Sequence, residues 1–273
     1  MKILTCNTHS LVEEGYEKKL RQFVEVAAKE QFDVIALQEV NQTQTAKPAK
    51  ESQREGFLAP EKQKIILRED NHILQVASLL REKGIFYHWT WTPIKVGYGK
   101  YDEGIGILSR KKPEEVRSFY ISQSQQYSDW HSRKVIGVKI EGTWFYSVHL
   151  GWWKEETESF SAQWQKLLAN LPKDGKIYLM GDFNNPSQQK NEGYDMVLQS
   201  GFYDTYLLAG QRDEGNTVVK VIDGWRERDS KEQMRIDFIF ANEDTPVKSS
   251  RCFFNGENGP VISDHFGVAM EER

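Results

Sequence analysis

Short apolar runs that stop at a polar residue recur along this chain, and their spacing predicts many strands with few helices between them. Residues 2–6 read as a first strand that delivers Asn7 at its end, with Thr8, His9 and Ser10 as loop. Over 16–29 the apolar positions Leu20, Phe23, Val24 and Ala27 fall at helical spacing, and 32–37 is a compact apolar strand ending in Gln38 and Glu39. Residues 41–64 are polar and aperiodic, which predicts a long loop near a functional site. Helical spacing returns over 71–83 through Ile73, Val76, Leu79 and Leu80. An aromatic strand is expected over 86–92, stopped by Pro93. A glycine-rich loop, 97–103, then carries Tyr98 and Glu103 into a strand over 104–110 whose glycines imply close backbone approach. Its Gly-x-Gly is no nucleotide fingerprint, because no helix follows.

Further strands are expected over 116–121, 133–140 (opening on Arg133) and 144–150, the last containing His149. A loop with Trp152 and Trp153 follows, then a helix over 159–171. The stretch 176–186, Lys-Ile-Tyr-Leu-Met-Gly-Asp-Phe-Asn-Asn-Pro, is the centre of the chain. It opens as a buried strand and breaks at Gly181, and in extended backbone Asp182 and Asn184 point to one face. The reading continues with a short helix over 193–199, a helix-to-strand connection over 202–205 and a strand over 236–240 that carries Asp237. Another short strand falls at 252–254, and the last strand, 261–268, places Asp264 and His265 at its start. With no repeat or dividing linker, this predicts one domain over 1–273, two sheets packed together with helices outside.

Composition narrows the class. The chain has 273 residues, 28% charged and 12% aromatic, a net charge of −4 and a pI of about 5.9. A duplex-DNA footprint concentrates basic residues, so acidity disfavours a nucleic-acid partner without removing the possibility of a local basic groove. Cys6 and Cys252 lie far apart, which predicts two buried free thiols rather than a zinc site. The N-terminal apolar run is too short for an export signal, and no segment approaches the ~20 apolar residues of a membrane span. The expectation is a soluble cytoplasmic protein that engages no membrane.

Asn7, Glu39, Glu103, His149, Asp182, Asn184, Asp237, Asp264 and His265 form a set of oxygen and imidazole donors without thiolate. Hard oxygen ligands in small number suit Mg²⁺ or Mn²⁺. A divalent ion neutralises phosphate charge, while two histidines supply cationic donors and proton delivery, each needing a carboxylate to fix its tautomer. Each residue has a plainer role when taken alone. Glu39 would be a solvated strand end, His149 a semi-buried core histidine, Asp237 a partner for Arg235, and Asp264-His265 a turn. Their recurrence at five strand ends favours the joint reading.

In chain order these pieces resemble the endonuclease/exonuclease/phosphatase (DNase I-like) superfamily. They are the early Asn7, the Gln38-Glu39 pair, Glu103 before its Gly-Ile-Gly-Ile-Leu-Ser strand, Ser-Val-His149, Gly181-Asp182-Phe183-Asn184, Arg235-Ile236-Asp237 and Ser263-Asp264-His265. The resemblance implies an α/β fold, a four-layer α/β/β/α sandwich of two mostly antiparallel mixed sheets, and a metal-dependent phosphoesterase. It implies Glu39 as chief metal ligand with Asn7 and Asp264 beside it, and Asp182 orienting the attacking water. Asn184 would hold a phosphate oxygen, Asp237 would orient His265, and Glu103 would partner His149.

The substrate is less constrained. Trp152 and Trp153, in the loop after His149, offer aromatic faces to a sugar, with Trp130 and His131 upstream, whereas Trp164 on its helix reads as core. His9, Tyr98 and Arg133 complete the candidate substrate contacts. The His-Leu-Gly-Trp-Trp and Asn-Thr-His segments are similar to a bacterial branch containing a maltose 6'-phosphate phosphatase. The expected partner is therefore a small phosphorylated molecule, a carbohydrate. A nuclease, a sphingomyelinase-like enzyme and a non-catalytic regulatory protein are the alternatives.

Overall fold

Consecutive residues of the central strands feed different cores, which is why those strands read as unbroken apolar runs. The computed structural model describes residues 1–60, 65–222, 225 and 233–273. Its strands are β1 Lys2–Asn7, β2 Val34–Thr43, β3 His88–Gly97, β4 Tyr101–Ser109, β5 Glu115–Tyr120, β6 Lys134–Ile140, β7 Thr143–His149, β8 Ile177–Asp182, β9 Tyr203–Asp204, β10 Gln211–Arg212, β11 Asp237–Ala241, β12 Val247–Phe253 and β13 Gly267–Glu272. Its helices are α1 Tyr16–Glu30, α2 His72–Glu82, α3 Phe160–Asn170, α4 Gly193–Gln199 and α5 Thr205–Leu208.

A seven-stranded sheet runs β10-β12-β13-β1-β2-β4-β3, and a six-stranded sheet runs β5-β6-β7-β8-β11-β9. In β1, Ile3 enters the core between the sheets while Leu4 packs under α1 and α2. In β8, Tyr178 and Met180 face that inner core while Ile177 and Leu179 pack under α3 and α4. Period-2 alternation between two apolar environments thus builds the four-layer α/β/β/α sandwich. The α1 stripe of Leu20, Phe23, Val24 and Ala27 is buried as its spacing predicts. Asn71 caps α2 by accepting from the Leu74 amide, and Ser159 caps α3 by accepting from Ala162. Both cysteines are buried and free. No helix among the described residues is long and apolar enough to cross a membrane.

Several boundaries move. β3 runs through Pro93 to Gly97, because β3 is an edge strand with an irregular register between Pro93 and Lys95, so the missing amide breaks no essential pairing. Glu103 consequently lies inside β4 rather than in a loop. Its neighbour Gly104 has no room for a side chain, since a Cβ there would sit 2.3 Å from Thr92 O. Residues 41–43 extend β2, and Ala49 and Phe57 join the core under α1 and α2, so the segment expected as a loop near the site partly covers the outer face instead. Residues 61–64 of that expected loop lie outside the described residues. The last strand starts at Gly267, which leaves Asp264 and His265 in the preceding loop.

One buried group in this scaffold makes stability depend on acid. Burial holds the His72 imidazole down at about 3, from an ordinary 6.5, with Tyr16 Oη 3.0 Å from its Nδ1. The folded value lies below the unfolded one, so stability is complete above the unfolded value and is lost as pH falls toward the folded one. Each pH unit in that window costs about 1.4 kcal/mol. His72→Gln should flatten the acid limb of urea-unfolding stability between about pH 6 and 4; an unchanged limb would exclude His72 as its source.

Candidate functional site

Three parallel or antiparallel neighbours in the six-stranded sheet place their chemistry in one row. His149 is registered opposite Asp182 across β7 and β8, and Asp182 is registered opposite Asp237 across β8 and β11. Gly181 makes this close approach possible. Its φ is 154°, and a Cβ would lie 1.9 Å from Val148 O, so no larger residue fits before Asp182 without moving β7.

Asp182 Oδ2 is the focus of the row. It lies 3.2 Å from Asn7 Nδ2, 3.6 Å from His149 Nε2 and 3.8 Å from His265 Nε2. Its Oδ1 accepts from the Asn184 amide at 2.8 Å. Burial pushes this carboxyl up to about 7, against the pull of His265 and with a further push from Asp237. His265 Nδ1 lies 2.9 Å from Asp237 Oδ2, the contact the family pattern implied. Arg235 is instead bound to Asp204 at 2.6 Å, so the plainer Asp237–Arg235 pair does not form.

The two histidines are driven apart in charge. Burial opposes protonation of His265, but Asp237 and Asp182 overcome it and hold the imidazole well above its ordinary range. His149 is pushed well below that range by burial, then by Arg133, Lys95 and His265. The expectation of two cationic histidines is not met at His149, whose imidazole is pushed below its ordinary range by burial first and by the neighbouring cations after it. Its expected partner is also different. Glu103 lies 3.3 Å from Lys95 Nζ, and the carboxylate facing His149 is Asp182.

The seven-stranded sheet supplies the other side. β2 carries a bulge between Leu37 and Val40, and Glu39 sits there at φ 50°. The bulge lets the strand continue while turning Glu39 toward the site. Asn7 Nδ2 donates to Glu39 Oε1 at 3.0 Å as well as to Asp182, linking the two sheets. Gln38 ties them a second time, donating to Ser147 Oγ at 2.9 Å. Asp264 Oδ1 accepts from Ser263 Oγ at 3.2 Å and lies 3.8 Å from His9 Nδ1. His9 pairs with Glu13 at 2.7 Å and meets Tyr98 Oη at 2.9 Å. Burial opposes its protonation, but the Glu13 hydrogen bond and the charges of Glu39 and Asp264 raise it to about 9.

Other candidates separate. Asn184, at φ 49°, donates through Nδ2 to Leu150 O at 2.9 Å and accepts from Trp225 Nε1 at 3.2 Å, so its carboxamide orientation is set. Trp152 packs against the cluster of Val218, Ile222, Trp225, Met234 and Ile236. Trp153 is a correction: its ring lies 6.4 Å from Phe160 and packs on the core under α3, because the loop turns it inward. Trp164 is fully buried, as expected of core. The indole presented outward is Trp130, 50% exposed, its ring centre 3.6 Å from that of His131 with the planes tilted by 32°, and 6.2 Å from that of Trp152.

Residues 4–265 match the family model for the endonuclease/exonuclease/phosphatase family. The chain belongs to this family. A solved endonuclease/exonuclease/phosphatase family protein from Leptotrichia buccalis is 32% identical with a TM-score of 0.87, covering 100% of this chain and 99% of that one. Two others are similar in fold. A mannosyl-6-phosphatase from Bacteroides thetaiotaomicron is 15% identical with a TM-score of 0.63, over 99% of this chain and 98% of its own. A 3' phosphatase from Neisseria bound to product DNA hairpin is 20% identical with a TM-score of 0.63, over 100% and 99%. No curated protein matches the sequence.

Membership makes this chain a phosphoesterase by class, and members generally use divalent metals. The donors on the first sheet fit such an ion. Burial raises the Glu39 carboxyl, and Glu103 and Asp264 raise it further against the pull of His9. An oxygen donor set that gathers carboxylate charge in a buried place is what a hard cation stabilises. Among the described residues, two groups of His, Asp and Glu bring their ligand atoms within 4.8 Å of one another, one of His9, Glu13 and Asp264 and one of Asp182, Asp237 and His265. In the latter the His265 Nδ1 is already committed to Asp237, which favours Glu39.

Within the family site, sequence reasoning missed Lys95 and Trp225. Lys95 lies just beyond Pro93, where the strand was expected to have stopped. Trp225 falls in a polar stretch with no predicted element, and its contact with Asn184 left no local signal.

Proposed function

We propose that this phosphoesterase is a divalent-metal-dependent phosphomonoesterase whose substrate is a sugar phosphate. The observation that carries the reading is the fixation of Trp130 to the site's own cations: Lys95 Nζ and Arg133 Nη1 both donate to its carbonyl, at 2.8 and 2.9 Å. A half-exposed indole is thereby held beside charges suited to a phosphate, and indole faces pack against the apolar faces of sugars. The mannosyl-6-phosphatase of similar fold lends support.

In this reading Glu39, Asn7 and Asp264 hold a Mg²⁺ or Mn²⁺ ion, which when bound neutralises phosphate charge and polarises the ester. Asp182 orients the attacking water and accepts its proton, for which its raised pKa suits it. Asn184 offers its remaining N–H to a phosphate oxygen. His265, aligned by Asp237, donates to the developing negative charge and to the departing alkoxide. His149 holds a phosphate oxygen from the opposite side of Asp182. Attack is in line, and positioning with charge stabilisation supplies most of the acceleration.

The test is a screen of hexose and disaccharide phosphates beside DNA and RNA, with Mg²⁺ and Mn²⁺. Inorganic phosphate should be released from a sugar phosphate faster than either nucleic acid is cut. Nucleic-acid cleavage with steep salt dependence and no sugar-phosphate turnover would replace this reading with the nuclease. Trp152→Ala, which removes the ring behind Trp130, should raise KM about tenfold and leave kcat within about twofold, the loss expected of one aromatic contact. A fall confined to kcat would remove Trp152 from the substrate wall.

A further inference from the structure

Glu39 stands in a backbone shape that its residue type disfavours. Its φ of 50° lies in the left-handed region, where a Cβ is unfavourable and glycine is usual. Such strain persists only where the surroundings over-determine it. Its consequence is visible in β2. Leu37 and Val40, three positions apart, both reach the core under α1 and α2. Between them neither polar residue enters that core: Gln38 donates to Ser147 Oγ, and Glu39 Oε1 accepts from Asn7 Nδ2. In a regular strand one of the two would turn the other way, because successive side chains alternate.

One side chain spans this bulge. Ser10 Oγ donates to Glu39 O at 2.7 Å and accepts from the Asn41 amide at 3.1 Å. Those two backbone groups lie on either side of Val40, so a single hydroxyl closes both with its one proton and a lone pair. Ser10 is 2% exposed and itself sits at φ 38°. The turn that carries it is anchored just before: the Thr8 amide and Oγ1 both donate to Gln38 O, at 3.1 and 3.0 Å. The His9 amide donates to Asn7 Oδ1 at 3.2 Å. Residues 8–10 thus continue from β1 along the bulged part of β2, and their contacts fix both Asn7 and Glu39. Asn41 is fully buried, so removing the hydroxyl would leave its amide without that partner where solvent cannot replace it.

We propose that Ser10 is a positioning residue of the metal site: its hydroxyl locks the β2 bulge and so aims the Glu39 carboxylate. The inference rests on the reading of Glu39 as a metal ligand, and its test needs no turnover. Mn²⁺ is titrated into the full chain, and the free ion is counted by its electron paramagnetic resonance signal. Ser10→Ala and Ser10→Gly should each weaken binding about tenfold, the loss typical when a group that orients a ligand is removed. Glu39→Gln should weaken it further. Glycine relieves the positive φ at position 10, so Ser10→Gly decides alone should Ser10→Ala fail to fold. Ser159→Ala, which removes the α3 cap, is the stability control: it should lower the melting temperature and leave Mn²⁺ affinity unchanged.

A double variant asks whether Ser10 acts through Glu39. Ser10→Gly placed in the Glu39→Gln background should cost little more than Glu39→Gln alone. An undiminished loss there would overturn the proposal. So would wild-type affinity in both Ser10 variants, or an equal loss in Ser159→Ala. If Glu39→Gln also binds as wild type does, the ligand assignment fails and the proposal with it. If Glu39→Gln is weakened and the Ser10 variants are not, only the positioning role fails.

Discussion

Asp182→Asn is expected to lower kcat by about a thousandfold or more while leaving the fold intact, measured by turnover of the best sugar phosphate and by thermal unfolding. The loss follows from position. Asp182 Oδ2 is approached by Asn7, His149 and His265, and Oδ1 holds the Asn184 amide. An amide keeps the volume but can neither accept the water's proton nor hold the charge balance, and removal of a general base typically costs a hundredfold to ten-thousandfold, roughly. Stability should not suffer. The folded-state pKa is raised to about 7, above the ordinary 3.8, so the folded chain binds the extra proton and stability declines as pH rises through that interval. Asn removes this penalty, and the melting temperature near neutral pH should hold or rise. Near-normal kcat in this variant would show that another group accepts the proton.

Glu39→Gln should weaken Mg²⁺ binding by at least about 100-fold, read by calorimetry, since even partners beyond the direct ligands are worth about ten- to a hundredfold. Activity should then return only at correspondingly higher metal concentration. The argument is again electrostatic. Burial, Glu103 and Asp264 all push the Glu39 carboxyl up, and a hard cation is the group that relieves this. Unchanged affinity would move the ion to the other donor group, Asp182, Asp237 and His265. Asp237→Asn then becomes the deciding variant, because it alters that second group and leaves Glu39 untouched.

Much of the architecture was readable from local pattern. Leu20, Phe23, Val24 and Ala27 foretold the buried stripe of α1, and apolar runs such as 177–180 foretold strands buried on both faces. The errors fell where tertiary context overrides local preference. Pro93 stops a central strand, but β3 lies at an edge. Trp153 looked like a substrate contact beside Trp152, yet alternate positions in that loop face opposite sides, one toward Trp225 and the other toward Phe160. Glu103 sat at the expected place in the family pattern, but which cation or imidazole it meets depends on a neighbouring strand's register, and Lys95 stands there.

By itself the sequence determined the layered sheets, the family and the roster of oxygen and imidazole donors, because period and order along the chain encode all three. Only the tertiary structure decided their charge states and pairings. A pKa depends on burial and on every charge within several ångströms, and those neighbours come from strands far apart in sequence. Hence the pKa of His265 is pushed up and that of His149 down, although each is a histidine at a polar strand boundary. Hence also Lys95 and Arg133, unremarkable along the chain, meet on the one carbonyl oxygen of Trp130.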